Sequence, residues 1–65
     1  MRVEVNGEKL TPRADTLAEL LVDCGFEAAA AATAGNGDFV PRSGRAQCGL
    51  KDGDRIEVLA PMQGG

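Results

Sequence analysis

Apolar and polar residues alternate near both ends of the chain. Arg2-Val3-Glu4-Val5 has the two-residue period of a strand and places Val3 and Val5 on one face. Arg55-Ile56-Glu57-Val58-Leu59 repeats the pattern, with Ile56 and Val58 inward. Between these segments the period changes. Leu17, Leu20, Leu21 and Cys24 stand at i, i+3, i+4 and i+7, one apolar helical stripe that includes the Cys24 thiol. Thr16 and Glu19 have capping-box spacing at the start of that stripe, and Gly25 is the expected stop. A helix of about eight to ten residues is too short to persist alone, so its stripe must pack on a sheet.

Turn residues order the remaining segments. Asn6-Gly7 suits a type I′ turn, which predicts an antiparallel return strand over residues 8–11 with Leu10 toward the core and Pro12 ending it. Asn36-Gly37-Asp38 is a second hairpin turn, leading into Phe39-Val40 before Pro41 stops the strand. Phe39 is read as a core residue. The alanine-rich stretch is read as a weak strand over residues 30–34, whose small side chains let the helix lie close. Residues 42–49 read as a polar loop with room for one helical turn, and Arg42 and Arg45 in it as solvated side chains. Leu50 is expected to plug the core, and Asp52-Gly53-Asp54 to form a tight turn.

Strand, strand, helix, strand, short strand, strand is an α+β order, with the first and last strands expected as parallel central neighbours. That is the β-grasp plan of ubiquitin-like proteins, a mixed sheet of four to five strands crossed by one helix. The boundaries follow: a β-grasp domain over residues 1–59 and a flexible C-terminal tail over residues 60–65.

Composition narrows the function. A chain of 65 residues buries only about 60% of its unfolded surface, enough for one domain. Lys and Arg total 7 against 10 Asp and Glu, for a net charge of -3, which argues against nucleic acid and against a basic membrane anchor. The start MRVEVNGEKL has no secretory apolar region, so the expected location is cytoplasmic. There the two cysteines are expected to be reduced, Cys24 as a core thiol; Cys48 matches no motif. The chain has no His, Tyr or Trp, which argues against a self-contained enzyme or zinc site. The acidic pairs Asp52/Asp54 and Asp23/Glu27 flank glycines and read as turn and helix-end residues.

The candidate chemistry lies in the last residues, Ala60-Pro61-Met62-Gln63-Gly64-Gly65. Two glycines without Cβ atoms make a thin, permissive approach to a terminal carboxylate. Six residues extend at most about 20 Å, the depth of an enzyme channel. Pro61, Met62 and Gln63 are placed to set the exit angle and touch a partner. Neither GxxxxGK[ST] nor GxGxxG is present, so the chain has no motif that would cradle a nucleotide phosphate.

Val5-Asn6-Gly7-Glu8, Thr16-Leu17-Ala18-Glu19-Leu20-Leu21, Asn36-Gly37-Asp38-Phe39-Val40-Pro41-Arg42-Ser43, Asp52-Gly53-Asp54 and Ala60-Pro61-Met62-Gln63-Gly64-Gly65 occur in that order. Together they resemble the ThiS family, the sulfur carrier of thiamine biosynthesis, over essentially the whole chain. Residues 28–35 depart from that pattern, which has branched aliphatics there. The resemblance implies a protein cosubstrate, monomeric when free and without a bound cofactor. An ATP-dependent activating enzyme would adenylate Gly65, sulfur from a cysteine desulfurase would convert it to a thiocarboxylate, and thiazole synthase would receive the sulfur. Gly64 would supply the slender approach. Two alternatives stand beside it: a carrier like the small subunit of molybdopterin synthase, and a ubiquitin-like interaction module that is never activated.

Overall fold

The two alternating segments form the centre of one sheet. The computed structural model describes residues 1–60. Within them the strands are β1 (Val3–Val5), β2 (Glu8–Leu10), β3 (Ala32–Gly35), β4 (Asp38–Val40) and β5 (Arg55–Leu59), with one helix, α1 (Leu17–Asp23). Short 3-10 segments cover Ala28–Ala30 and Arg42–Gln47. The sheet order is β2-β1-β5-β3-β4, with β1 and β5 parallel and the other neighbours antiparallel. This is the mixed β-grasp sheet that the alternation predicts. No helix among the described residues is long and apolar enough to cross a membrane.

Helix α1 begins where its side chains satisfy free backbone donors. Thr16 Oγ1 accepts from the Glu19 amide at 3.3 Å, and Glu19 Oε1 accepts from the Asp15 amide at 2.8 Å. Gly25 takes the left-handed conformation at φ 79° just past the helix end. Leu17, Leu20 and Leu21 are sealed against Val3, Val5, Ile56, Val58 and Ala14. Each fully buried leucine contributes about 1.5 to 3 kcal/mol, so this layer is the main cohesive force of a small domain. Leu50 and Leu10 pack at its margin.

Both hairpin turns adopt the expected geometry. Asn6 and Asn36 each have φ 51°, followed by Gly7 at 86° and Gly37 at 88°. These turns fix the register, pairing Val5 with Glu8 and Gly35 with Asp38.

The alanine-rich stretch differs from expectation. Residues 28–30 make a 3-10 turn and the strand begins only at Ala32. Thr33 is the inward residue of β3, while Ala32 is exposed and Ala34 half-buried. Close helix–sheet packing therefore does not come from alanines on the inner face of this strand. The reason for the shift is Arg45, whose guanidinium donates to the carbonyls of Ala28, at 2.9 Å, and Ala31, and to Thr33 Oγ1 at 3.0 Å. Two carbonyls bound in this way hold the stretch out of the sheet ladder. Arg45 is itself buried, not solvated as expected for a loop arginine, whereas Arg42 is exposed.

Candidate functional site

The residues assigned to the carrier chemistry, Pro61, Met62, Gln63, Gly64 and Gly65, lie outside the described residues. What the structure describes is the platform on which they are mounted. The last strand, β5, is the middle one of five, held by β1 on one side and β3 on the other. Its end at Leu59 pairs with Ala32, and Val58 pairs with Thr33. Ala60 follows immediately. The tail thus starts from the centre of the sheet.

Two asparagines brace this strand from opposite ends. Backbone pairing between β1 and β5 closes with the Asn6 amide donating to the Ile56 carbonyl at 2.9 Å. The Asn6 side chain then reaches one step further: Oδ1 accepts from the Val58 amide at 2.8 Å and Nδ2 donates to the Val58 carbonyl at 3.1 Å. At the strand's start, Asn36 Oδ1 accepts from the Arg55 amide at 2.9 Å and Nδ2 donates to Asp54 Oδ1 at 3.0 Å. That last bond, more than the Lys51 contacts, holds the Asp54 carboxyl below its ordinary pKa. Asp52 Oδ1 accepts from the Arg2 amide at 2.7 Å. Both aspartates therefore serve the turn at Gly53.

The face of the sheet away from α1 divides along β5. Lys9, Glu4 and Arg55 form a cross-strand row at one end, with Arg55 Nε and Glu4 Oε2 3.6 Å apart. Toward the tail, Ala32, Ala34, Phe39 and Leu59 line a shallow groove with Asn6 and Glu57. Phe39 is 70% and Leu59 77% exposed. Placing Phe39 in the core is thus corrected. The Asn36-Gly37 turn sets Phe39 opposite Ala34, on the outer face, while the adjacent Val40 stands opposite the inward Thr33. Leu59 was missed by sequence reasoning, although the alternation that sends Ile56 and Val58 inward sends it outward. An apolar residue at an outward position was the available signal.

Cys24 is also corrected, for it is exposed and not a core thiol. It caps the C-terminus of α1 one residue past Asp23. Partial desolvation, with Asp23 and Glu8 nearby, raises its pKa, so the thiol stays protonated at neutral pH and is a weak nucleophile. Cys48 is half-buried, packed against the core, and its carbonyl accepts from the Leu17 amide at 2.9 Å. Among the described residues no group of three or more His, Cys, Asp and Glu could hold a metal ion.

Comparison with known proteins bears on the whole chain. The model of the ThiS family matches residues 2–65. The crystal structure of a thiamine biosynthesis protein (ThiS) from Geobacter metallireducens superposes with a TM-score of 0.81 at 32% identity, covering 100% of both chains. An NMR solution structure of a thiamine biosynthesis protein from the same organism gives 0.78 at 30% identity, covering 100% of this chain and 88% of the other. A thiazole synthase from Paramagnetospirillum magneticum is 35% identical over 66 residues. All of this chain is matched there, but it spans only 20% of that protein's length.

Proposed function

The chain belongs to the ThiS family, and on that premise we propose that it is the sulfur carrier of thiamine biosynthesis, charged and unloaded at the carboxylate of Gly65. The observation that carries this reading is the junction of fold and tail. A central strand, clamped on both sides up to Val58, leads directly into Pro61-Met62-Gln63-Gly64-Gly65. A rigid base under a side-chain-free end lets the domain dock on a partner while the carboxylate enters that partner's site.

The chemistry proceeds in three steps. The Gly65 carboxylate attacks the α-phosphorus of ATP and expels pyrophosphate, giving an acyl adenylate. The outer sulfur of a persulfide charged by a cysteine desulfurase then attacks the acyl carbon and AMP departs, leaving an acyl disulfide. A second thiol attacks the persulfide carrier's inner sulfur, releasing the thiocarboxylate and closing a disulfide. Activation is required because a free carboxylate offers no competent leaving group, whereas AMP does. The resulting thiocarboxylate is the nucleophile passed to thiazole synthase. That client is favoured because a thiazole synthase contains a segment similar to this entire chain.

Docking is assigned to the outer sheet face beside the tail. Its groove pairs apolar Phe39 and Leu59 with Glu57, a surface able to lose water against a partner without unfolding the carrier. Incubation with ATP, a bacterial ThiS-activating enzyme and a sulfur donor tests the function. A mass gain of about 16 Da, sulfur for oxygen, is expected on Gly65 and nowhere else. No gain would leave the domain as an interaction module.

A further inference from the structure

The parallel ladder between β1 and β5 is shorter than β5 itself. β1 ends at Val5 and turns away through Asn6 and Gly7, whereas β5 continues to Leu59. Without a substitute, the amide and carbonyl of Val58 would lose their partners on the β1 side. The Asn6 carboxamide takes that place, accepting from the Val58 amide at 2.8 Å and donating to its carbonyl at 3.1 Å. A planar primary amide supplies one donor and one acceptor at the spacing of a peptide unit, which a carboxylate or a hydroxyl cannot do. Its two partners belong to the penultimate residue of β5, with only Leu59 between that clamp and Ala60.

We infer that Asn6 is a positioning residue for acyl transfer, fixing the point and direction in which the chain leaves the sheet and thereby aiming Gly65 into the activating site. This rests on the sulfur-carrier reading for its consequence, and on the two hydrogen bonds for its geometry. No contact between Asn6 and the reacting atoms is required for this role. The effect of Asn6 passes through the backbone of Val58, and so should act on the alignment of the tail; because Asn6 also borders the outer groove, any effect on docking is read separately in KM. Asn36 provides an internal control. It has the same backbone φ of 51° and heads the same kind of turn, and its side chain accepts from the Arg55 amide at the end of β5 remote from the tail while donating to the Asp54 carboxylate.

The full chain is compared with N6G and N36G, in which glycine retains the positive φ of each turn and deletes the side-chain bonds. Both variants should lose thermal stability. At a temperature where all three are folded, adenylation of N6G by the activating enzyme should show kcat reduced about tenfold, whatever the change in KM from the altered groove, because misplacement of a reacting group costs rate once the carrier is docked. N36G should stay within about twofold of the parent in both constants. N6D, which keeps the acceptor for the Val58 amide but opposes the Val58 carbonyl with a carboxylate, should behave like N6G. In parallel, amide exchange at Leu59 and Ala60 should accelerate in N6G and not in N36G. Equal kcat in N6G and N36G, or parental exchange at Leu59 and Ala60 in N6G, would overturn the inference. Should the unaltered chain itself fail to form an adenylate, the carrier reading falls, and the exchange arm still decides whether Asn6 holds the exit.

Discussion

The guanidinium of Arg45 donates from Nε to Thr33 Oγ1 across 3.0 Å, and both residues are almost wholly removed from solvent. Thr33 Oγ1 in turn donates to the Val40 carbonyl at 2.9 Å. With the Arg45 bonds to Ala28 and Ala31, this network joins the 3-10 segment Arg42–Gln47, the alanine-rich turn, β3 and β4.

Removing the cation should therefore cost more than its position in a polar segment suggests. R45M is expected to lower unfolding free energy by on the order of 3 kcal/mol, since carbonyls bound by a charged donor are left unpaired. T33V should cost about 1 to 3 kcal/mol by leaving Nε without that acceptor. Urea titration of the single and double variants gives the check. The double variant should lose less than the two single losses combined, because the residues share one network.

Acid sensitivity should be traceable to Asp54. Its folded pKa lies below the ordinary value because Asn36 Nδ2 and then the Lys51 amide donate to the ionised carboxylate. A depressed pKa contributes stability above the unfolded value, about 3.9, and that contribution is lost as pH falls through the lower folded value. The melting temperature of the parent should thus exceed that of D54N at neutral pH, with the gap narrowing below about pH 4. A gap that stayed constant down to pH 2 would assign the difference to something other than ionisation.

Charge placed on the outer groove should separate docking from folding. Phe39 and Leu59 are 70% and 77% exposed, so F39E and L59E should change stability by no more than about 0.5 kcal/mol. Each should raise KM for the activating enzyme about tenfold, the effect of losing an apolar anchor at an interface. Steady-state adenylation kinetics measures this directly, and unchanged KM in both variants would move the docking surface elsewhere.

Shortening the chain should have the opposite profile. A variant ending at Gln63 is expected to melt with the parent, because the core residues from Val3 to Val58 are untouched. It should show no ATP-dependent mass gain, having lost both glycines. Sulfur delivery by that variant in a strain lacking its own carrier would contradict the assignment of Gly65.

Cys24 should be a bystander. Its raised pKa predicts alkylation by iodoacetamide that is slow at neutral pH and accelerates above the ordinary thiol range. C24S should form the adenylate at the parental rate.

Local chemistry made the element order legible. Thr16 and Glu19 announced the start of α1, Asn6-Gly7 and Asn36-Gly37 announced tight turns, and the alternation at Val3, Val5, Ile56 and Val58 announced the sheet centre. Each of these signals is set by residues within a few positions of one another. The candidate site is proposed in the same way, from a diglycine following an apolar strand, since its chemistry needs only a slender end and a carboxylate; its residues lie outside those described.

Sequence by itself therefore determined the two central strands, the helix, the order of the elements and the family. Only the tertiary structure decided that Arg45 goes inside, that Phe39 faces out, that Cys24 is exposed, and that Asn6 clamps Val58. The physical reason is separation along the chain. Arg45 finds its carbonyls 14 and 17 residues away, and Asn6 finds its partner 52 residues away. No local pattern encodes whether a polar side chain will meet the donors and acceptors that make its burial tolerable; that depends on which backbone groups the assembled sheet leaves unpaired.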